Sequence, residues 1–180
     1  ASLLLRRDAG VAVGVPLAAG LAVAESVERL AGVECHLKWP NDVLAGGGKL
    51  AGILTEVEPG GGTVLGVGVN LAVTEFPPGV AGASLHRLSR AAVTWDALLA
   101  EILTRLAGRI ATLEAGGIPA LQDDWTGRAA GLGEQIRAEI GGRTVVGTAR
   151  GIDDQGALLV TTPEGQLRLI AGDVHLLGPA

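Results

Sequence analysis

The stretch KWPNDVLAGGGKLAGIL, residues 38–54, decides how the first half of this chain folds. The apolar residues 35–39 and 50–57 have the length and composition of two strands. Between them, residues 40–42 read Pro-Asn-Asp, which predicts a break in the first strand. The three glycines at 46–48 predict a tight turn that leads into the second strand.

The sequence on either side of this stretch alternates between strand and helix patterns. Pro16 suits the first turn of a helix, and Gly32 suits its carboxy-terminal end. Thr94 is predicted to cap a second long helix. Two tryptophans, Trp95 and Trp125, fall in helical segments, and we expect both in the core. The other predicted elements are strands over 3–5 and 63–73 joined to the preceding strand by a turn at 59–62, a loop over 74–90, and helices over 97–113 and 118–125.

From about residue 131 onward, short strands alternate with turns rich in Gly, Asp and Pro. This pattern predicts a small all-β barrel. Strands are predicted over 135–140, 144–152, 158–162, 167–171 and 174–177. We therefore expect an α+β fold with two domains: residues 1–130 form a mixed sheet with helices on one face, and residues 131–180 form the barrel.

Composition excludes several classes of function. The net charge is −5, which argues against a broad basic surface for nucleic-acid backbones but leaves room for a short basic patch. Residues 11–24 are apolar but contain Pro16 and end before Glu25, which is too short for a membrane span. A single cysteine, Cys35, excludes an intrachain disulfide and suits a reducing compartment such as the cytoplasm.

Most of the candidate catalytic and binding residues lie in or near residues 38–54. Only two of the 14 basic residues are lysines, Lys38 and Lys49, and both fall there. A lysine ammonium is a compact charge that approaches a phosphate or carboxylate along one line, although both side chains also fit a solvated surface. Asn41 and Asp42 either form an Asx turn or present an amide and a carboxylate to a nucleotide or a magnesium ion. The Gly-Val-Gly of residues 66–68 marks a bulge or a place where a ligand lies against bare backbone.

These motifs resemble those of biotin–protein ligases in order, spacing and strand context. The similar stretches are KWPND, KLAGIL, GVGVN (residues 66–70) and ARGIDDQGALLV (residues 149–160). The resemblance implies a catalytic domain like that of class II aminoacyl-tRNA synthetases, followed by an SH3-like barrel. It also implies a ligase that adenylates biotin with ATP and Mg²⁺ and transfers biotin to a lysine of a biotin carboxyl carrier domain. A homodimer is a further expectation.

The resemblance also implies roles for individual residues. Lys49 matches the lysine that contacts both the biotin carboxylate and the α-phosphate, so it is the expected catalytic residue. The other expected biotin-binding residues are Gly52, Ile53, Gly66 and Gly68. The expected nucleotide-binding residues are Lys38, Asn41, Asp42, Asn70 and Arg150. No residue is expected to hold a resident metal.

The chain departs from the family pattern at its amino-terminal side. The family carries a Gly-Arg-Gly-x-x-Gly-Arg loop upstream of these motifs, and this sequence contains no such loop. We therefore expect the chain to lack the amino-terminal part of the catalytic domain and to be inactive by itself. Two alternatives stay open: a lipoate ligase of the same fold, and a non-catalytic module that binds biotin or a partner chain.

Overall fold

The computed structural model describes residues 1–5, 9–58 and 62–177, which form two five-stranded antiparallel sheets with helices on one side of the first. The first sheet has the strand order β1-β5-β4-β3-β2, and the second has the order β10-β6-β7-β8-β9. The strands are β1 (Ser2–Leu5), β2 (His36–Lys38), β3 (Asp42–Ala45), β4 (Gly48–Val57), β5 (Thr63–Val69), β6 (Gln135–Ile140), β7 (Arg143–Ile152), β8 (Leu158–Thr162), β9 (Gly165–Leu169) and β10 (Asp173–Leu176). The helices are α1 (Val15–Ala31), α2 (Leu85–Leu88), α3 (Trp95–Gly116) and α4 (Pro119–Thr126), with a 3-10 turn over Ala9–Gly14.

Helix α1 covers one face of the first sheet and leaves the other face open. Pro16 lies in its first turn, and Gly32 ends it in the left-handed conformation while donating its N–H to Glu28. Gly20 faces the sheet, because a Cβ atom there would lie 3.3 Å from Leu37 and 3.6 Å from Ile53. Helix and sheet therefore approach closely, which leaves no space for a ligand between Gly20 and the sheet.

Three local features differ from the sequence expectations. Residues 42–45 form a strand, β3, where a break and a turn were expected, and the loop over 74–90 contains the short helix α2. Trp125 is buried as predicted, but the prediction for Trp95 was wrong, because this side chain is 64% exposed at the start of α3. The predicted turn at 59–62 falls mostly on residues outside the described part of the chain.

The second sheet packs against the first domain. Trp39 donates its Nε1 hydrogen to the carbonyl of Gly156 at 3.0 Å. Gln122 of α4 donates to the carbonyl of Ile152 at 2.6 Å. Side chains of both sheets also belong to one continuous cluster of buried apolar residues. The α+β architecture with a second, all-β unit is thus confirmed, although the pairings described in the first sheet are all antiparallel rather than mixed.

No helix in the described ranges is long and apolar enough to cross a membrane.

Candidate functional site

Four of the predicted site residues form one row across four strands of the first sheet. Lys38 of β2 pairs with Asp42 of β3, Asp42 pairs with Gly52 of β4, and Gly52 pairs with Gly68 of β5. Directly paired residues share a face of the sheet, so the row presents two charged side chains and then two positions with no side chain. The glycines therefore leave a gap beside Asp42, on the face opposite α1.

A β-bulge in β4 brings Lys49 to this row. In a regular strand Lys49 and Gly52 would lie on opposite faces, because they are three residues apart. The register shifts here: Lys49 pairs with Leu44 and Ala51 with Val43, which leaves Leu50 as an extra residue. Leu50 is fully buried, and Lys49 is exposed on the same face as Gly52. A Cβ atom on Gly52 would lie 3.3 Å from the Lys49 Nζ.

Asp42 is ion-paired with both lysines. Its Oδ1 lies 2.5 Å from the Lys49 Nζ, and its Oδ2 lies 3.6 Å from the Lys38 Nζ. The Asp42 and Lys38 side chains are 13% and 19% exposed, whereas that of Lys49 is 48% exposed. The cluster therefore carries one net positive charge, and its most accessible group is the Lys49 ammonium.

A cavity of about 460 Å³ lies over the glycine end of this row, and Lys38 and Asp42 are not among its lining residues. It brings together five predicted site residues: Asn41, Lys49, Gly52, Gly66 and Gly68. Ile53, also predicted, contributes to its wall, although the side chain is buried toward α1. The cavity has bare backbone at its three glycines and the Lys49 ammonium at its edge. These features suit a small ligand that has a flat apolar body and an anionic group.

Sequence reasoning missed Ser2 and Leu54, which also line this cavity. Leu54 pairs with Gly66, and Gly66 pairs with Ser2, so the three residues form the next row on the same face. The period-two alternation of β4 could have identified Leu54, because it follows Gly52 by two residues.

Two asparagines brace β4 on either side of the bulge. Asn41 donates its side-chain amide to the carbonyl of Ile53 at 2.8 Å, and Asn70 donates to the carbonyl of Lys49 at 3.1 Å. The segment 81–83 adds a further clamp, because the Lys49 N–H donates to Ala81 at 2.8 Å. The backbone of Lys49 is thus fixed independently of its side chain.

Arg150 is not among the described residues that line this cavity. It is exposed on β7, and its Nε lies 3.3 Å from the Thr161 hydroxyl in the second sheet. A larger cleft of about 900 Å³ is lined by residues of both domains and shares Asn41, Ile53 and Leu54 with the smaller cavity. Among the described residues, Arg168 is the arginine that lines this larger cleft.

Arg168 holds the turn that borders the larger cleft. It forms an ion pair with Asp153, and Asp153 also accepts hydrogen bonds from the backbone N–H groups of Gln155 and Ala157, both at 2.9 Å. Burial opposes ionisation of Asp153, but these donors together hold its pKa below the usual range. The turn presents the carbonyl of Gly156 to Trp39 and so fixes the residue that precedes Pro40 and Asn41.

Cys35 and the metal-binding residue types of the described ranges do not add a second site. Burial, reinforced by the charge of Glu28, raises the pKa of the Cys35 thiol to about 12, so it is not a poised nucleophile. Across the described ranges, no group of three His, Cys, Asp or Glu side chains is arranged to hold a metal ion.

Two known families match separate parts of the chain. Residues 3–73 match the biotin/lipoate A/B protein ligase family, and residues 131–177 match the biotin protein ligase C-terminal domain. The first match contains the Lys49 cluster and every residue of its cavity except Ala1 and Ser2. The second contains all five strands of the second sheet.

A solved structure has the same fold. The biotin protein ligase from Aquifex aeolicus in complex with biotin and ATP superposes with a TM-score of 0.85 at 22% identity, covering 97% of this chain and 77% of that one.

Relatives with curated names lead to the same family. The biotin–[acetyl-CoA-carboxylase] ligase of Mycobacterium tuberculosis is 46% identical over 89% of this chain, which spans 61% of that relative's length. The enzyme of the same name from Paracoccus denitrificans is 35% identical over 98% of this chain, which spans 79% of that relative. From these matches we conclude that the chain belongs to the biotin protein ligase family.

Proposed function

We propose that the full-length protein is a biotin–protein ligase. It forms biotinyl-5'-AMP from biotin and ATP, and it then transfers biotin to a lysine of a biotin carboxyl carrier domain. The observation that carries this proposal is the Lys49 ammonium at the edge of a cavity floored by Gly52, Gly66 and Gly68. The names of the relatives in Mycobacterium tuberculosis and Paracoccus denitrificans support the same reaction.

The chemistry of the first step explains why a cation stands at this position. The biotin carboxylate attacks the α-phosphorus of ATP and pyrophosphate leaves, so two anions must approach each other. Lys49 offsets their repulsion, and it does so most strongly in the transition state, where the negative charge crowds together. In the second step the carrier's lysine amine attacks the acyl carbon and AMP leaves.

The assignment of biotin to the glycine-lined cavity follows from its surface. Gly52, Gly66 and Gly68 leave room for a bicyclic ring system on bare strands, Leu54 contributes an apolar side chain on the same face, and Ile53 contributes backbone. Biotin placed here directs its carboxylate toward Lys49. The solved complex of the Aquifex aeolicus ligase contains biotin and ATP, which supports both substrates.

In our proposal, the nucleotide is bound by Lys38, Asn41 and Asn70 on the side of Lys49 away from biotin, with Arg150 contributing from the second sheet. Magnesium arrives with ATP, since Mg²⁺ is usually held by substrate phosphates and only one or two carboxylates. Asp42 is the carboxylate of this cluster.

Three further expectations belong to the same proposal. The carrier domain docks partly by strand addition to an exposed sheet edge, a recognition mode that gives a lysine access to a site on the sheet. The enzyme acts in the cytoplasm, in keeping with its single, buried cysteine. It forms a homodimer.

The test is made on the full-length protein. Purified enzyme is mixed with biotin and Mg·ATP, and biotinyl-adenylate is quantified before and after a carrier domain is added. Lipoate replaces biotin in a parallel reaction. We expect adenylate with biotin and its consumption by the carrier. Adenylate with lipoate alone would assign the chain to lipoate transfer, and binding without any adenylate would assign it to a non-catalytic module.

A further inference from the structure

Asp42 occupies an unusual position for a residue expected to contact only the nucleotide. It lies between the two lysines in sequence and in space, in the row that runs from Lys38 to Gly52. Its carboxylate bridges both ammonium groups, at 2.5 Å to the Lys49 Nζ and 3.6 Å to the Lys38 Nζ. Both carboxylate oxygens are therefore already engaged by protein side chains.

The Oδ1 of Asp42 depends on Lys49 for a partner. This oxygen is buried, and no hydrogen bond of good geometry reaches it from the described residues. The ammonium at 2.5 Å nevertheless gives it a strong ionic contact, because an ammonium rotates freely to aim a hydrogen. If Lys49 moved away, a buried charged oxygen would lose its nearest cation, which is unfavourable.

Lys49 in turn needs such a partner. Its backbone is clamped, but its side chain is half exposed and has four rotatable bonds. Lysine loses more rotamer freedom than most residues when it is fixed. Gly52 provides the space for the fixed position, because a Cβ there would lie 3.2 Å from the Lys49 Cε and 3.3 Å from its Nζ. Asp42 and Gly52 together thus select one position of the ammonium.

We propose that Asp42 is a positioning residue that acts through Lys49, an inference that rests on the proposed function. An ammonium has three hydrogens. One hydrogen stays on Asp42, and the other two are directed at the substrate carboxylate and the α-phosphate. Lys38 occupies the second oxygen of Asp42, so the cluster keeps one net positive charge for the incoming anions. Asp42 therefore sets the geometry of adenylation rather than the affinity for biotin.

The experiment is a double-mutant cycle in the full-length enzyme, read by single-turnover formation of biotinyl-adenylate. We expect Asp42→Asn to slow adenylation by about 10- to 100-fold, as misplacement of a reacting group does. Biotin KM should change by less than about threefold. In the Lys49→Ala background the same substitution should change the rate by less than about twofold, because its effect passes through Lys49. Asp123→Asn, the same change on exposed α4, is the matched control.

Each outcome decides the proposal. An equal loss in both backgrounds would mean that Asp42 contacts the nucleotide or its metal directly, and the inference would be wrong. A wild-type rate for Asp42→Asn would also overturn it. If Asp42→Asn does not fold, the cycle is run with Asp42→Glu, which keeps the negative charge but moves it. The inference is refuted if Asp42→Glu does not slow adenylation, or if it slows adenylation equally in the Lys49→Ala background. Wild-type enzyme that makes no adenylate would instead refute the proposed function.

Discussion

Lys49→Ala tests the central claim about the site, because it removes the cation without disturbing the strand. A positioned donor that meets a developing anionic charge typically contributes about 2.7–4 kcal/mol to the transition state. The Lys49 side chain is 48% exposed, so water screens part of its charge, and we expect the lower end of that range. This corresponds to a loss of about 100-fold in the rate of adenylation, with a smaller effect on biotin binding.

The same substitution has a calculable effect on stability. It leaves the buried Oδ1 of Asp42 without its ammonium, which costs about 1–3 kcal/mol. Lys38 remains 3.6 Å from the other oxygen, so we expect about 1 kcal/mol, or a fall of about 2–4 °C in Tm for a domain of this size. Rate loss and modest destabilisation should therefore occur together.

The assay is single-turnover formation of biotinyl-adenylate from biotin and Mg·ATP by the full-length enzyme. Lys49→Arg should not restore the rate fully, because a planar guanidinium is wider than the space beside Gly52. Lys38→Arg serves as the matched control and should have a milder effect. If Lys49→Ala formed adenylate at nearly the wild-type rate, the mechanism proposed for Lys49 would be refuted and only the fold and family would stand.

The other predictions concern the second sheet and the cysteine. Arg150→Ala should raise the KM for ATP and leave biotin binding nearly unchanged, because a guanidinium pairs with phosphate oxygens; equal losses for both substrates would contradict this. Asp153 has a lowered pKa, so its contribution to stability is complete above the pKa of an unfolded aspartate, about 3.9, and decreases as the pH falls from there through the pKa of the folded state. Asp153→Asn should therefore lower Tm more at pH 7 than at about pH 3, and an equal difference at both values would count against the ion pair. The Cys35 thiol has a pKa of about 12, so at pH 8 it should react with iodoacetamide roughly 1000-fold more slowly than free cysteine until the protein is unfolded. Fast labelling of the folded protein would show that the pKa of this thiol is not raised.

The sequence alone indicated which residues to examine, because the candidate chemistry is concentrated in short motifs. Lys49 is one of only two lysines in the chain, and the structure brings it to one cavity with Gly52, Gly66 and Gly68. Helix α1 was equally predictable, since Pro16 and its C-cap glycine mark its ends.

The geometry of the site was not predictable by the same reasoning. Strand β3 is four residues long and lies between Pro-Asn and three glycines, so turn signals mask it. The odd spacing of Lys49 and Gly52 indicates opposite faces unless the bulge at Leu50 is known. The pairing of Asp42 with both lysines depends on β3 and on this bulge, so it too required the structure.

Trp95 illustrates a different kind of failure. Large aromatic side chains in helices are usually buried, but the residue directly after an N-cap lies at the end of its helix, where the neighbouring layer no longer covers it. Trp125 in α4 follows the general rule, because this helix packs against both α1 and α3.

The continuous buried cluster has a practical consequence for dissecting the molecule. The Gly156 turn sits close enough to α1 and α4 that a Cβ there would lie 3.3 Å from both Leu17 and Ile118. Cutting the chain near residue 130 would strip apolar cover from these helices and take the hydrogen-bond acceptor from Trp39. Deletion of the second sheet would therefore destabilise the first domain, so a loss of activity would not measure what the second sheet contributes to catalysis. The share of each half in the reaction has to be measured by single substitutions in the intact protein.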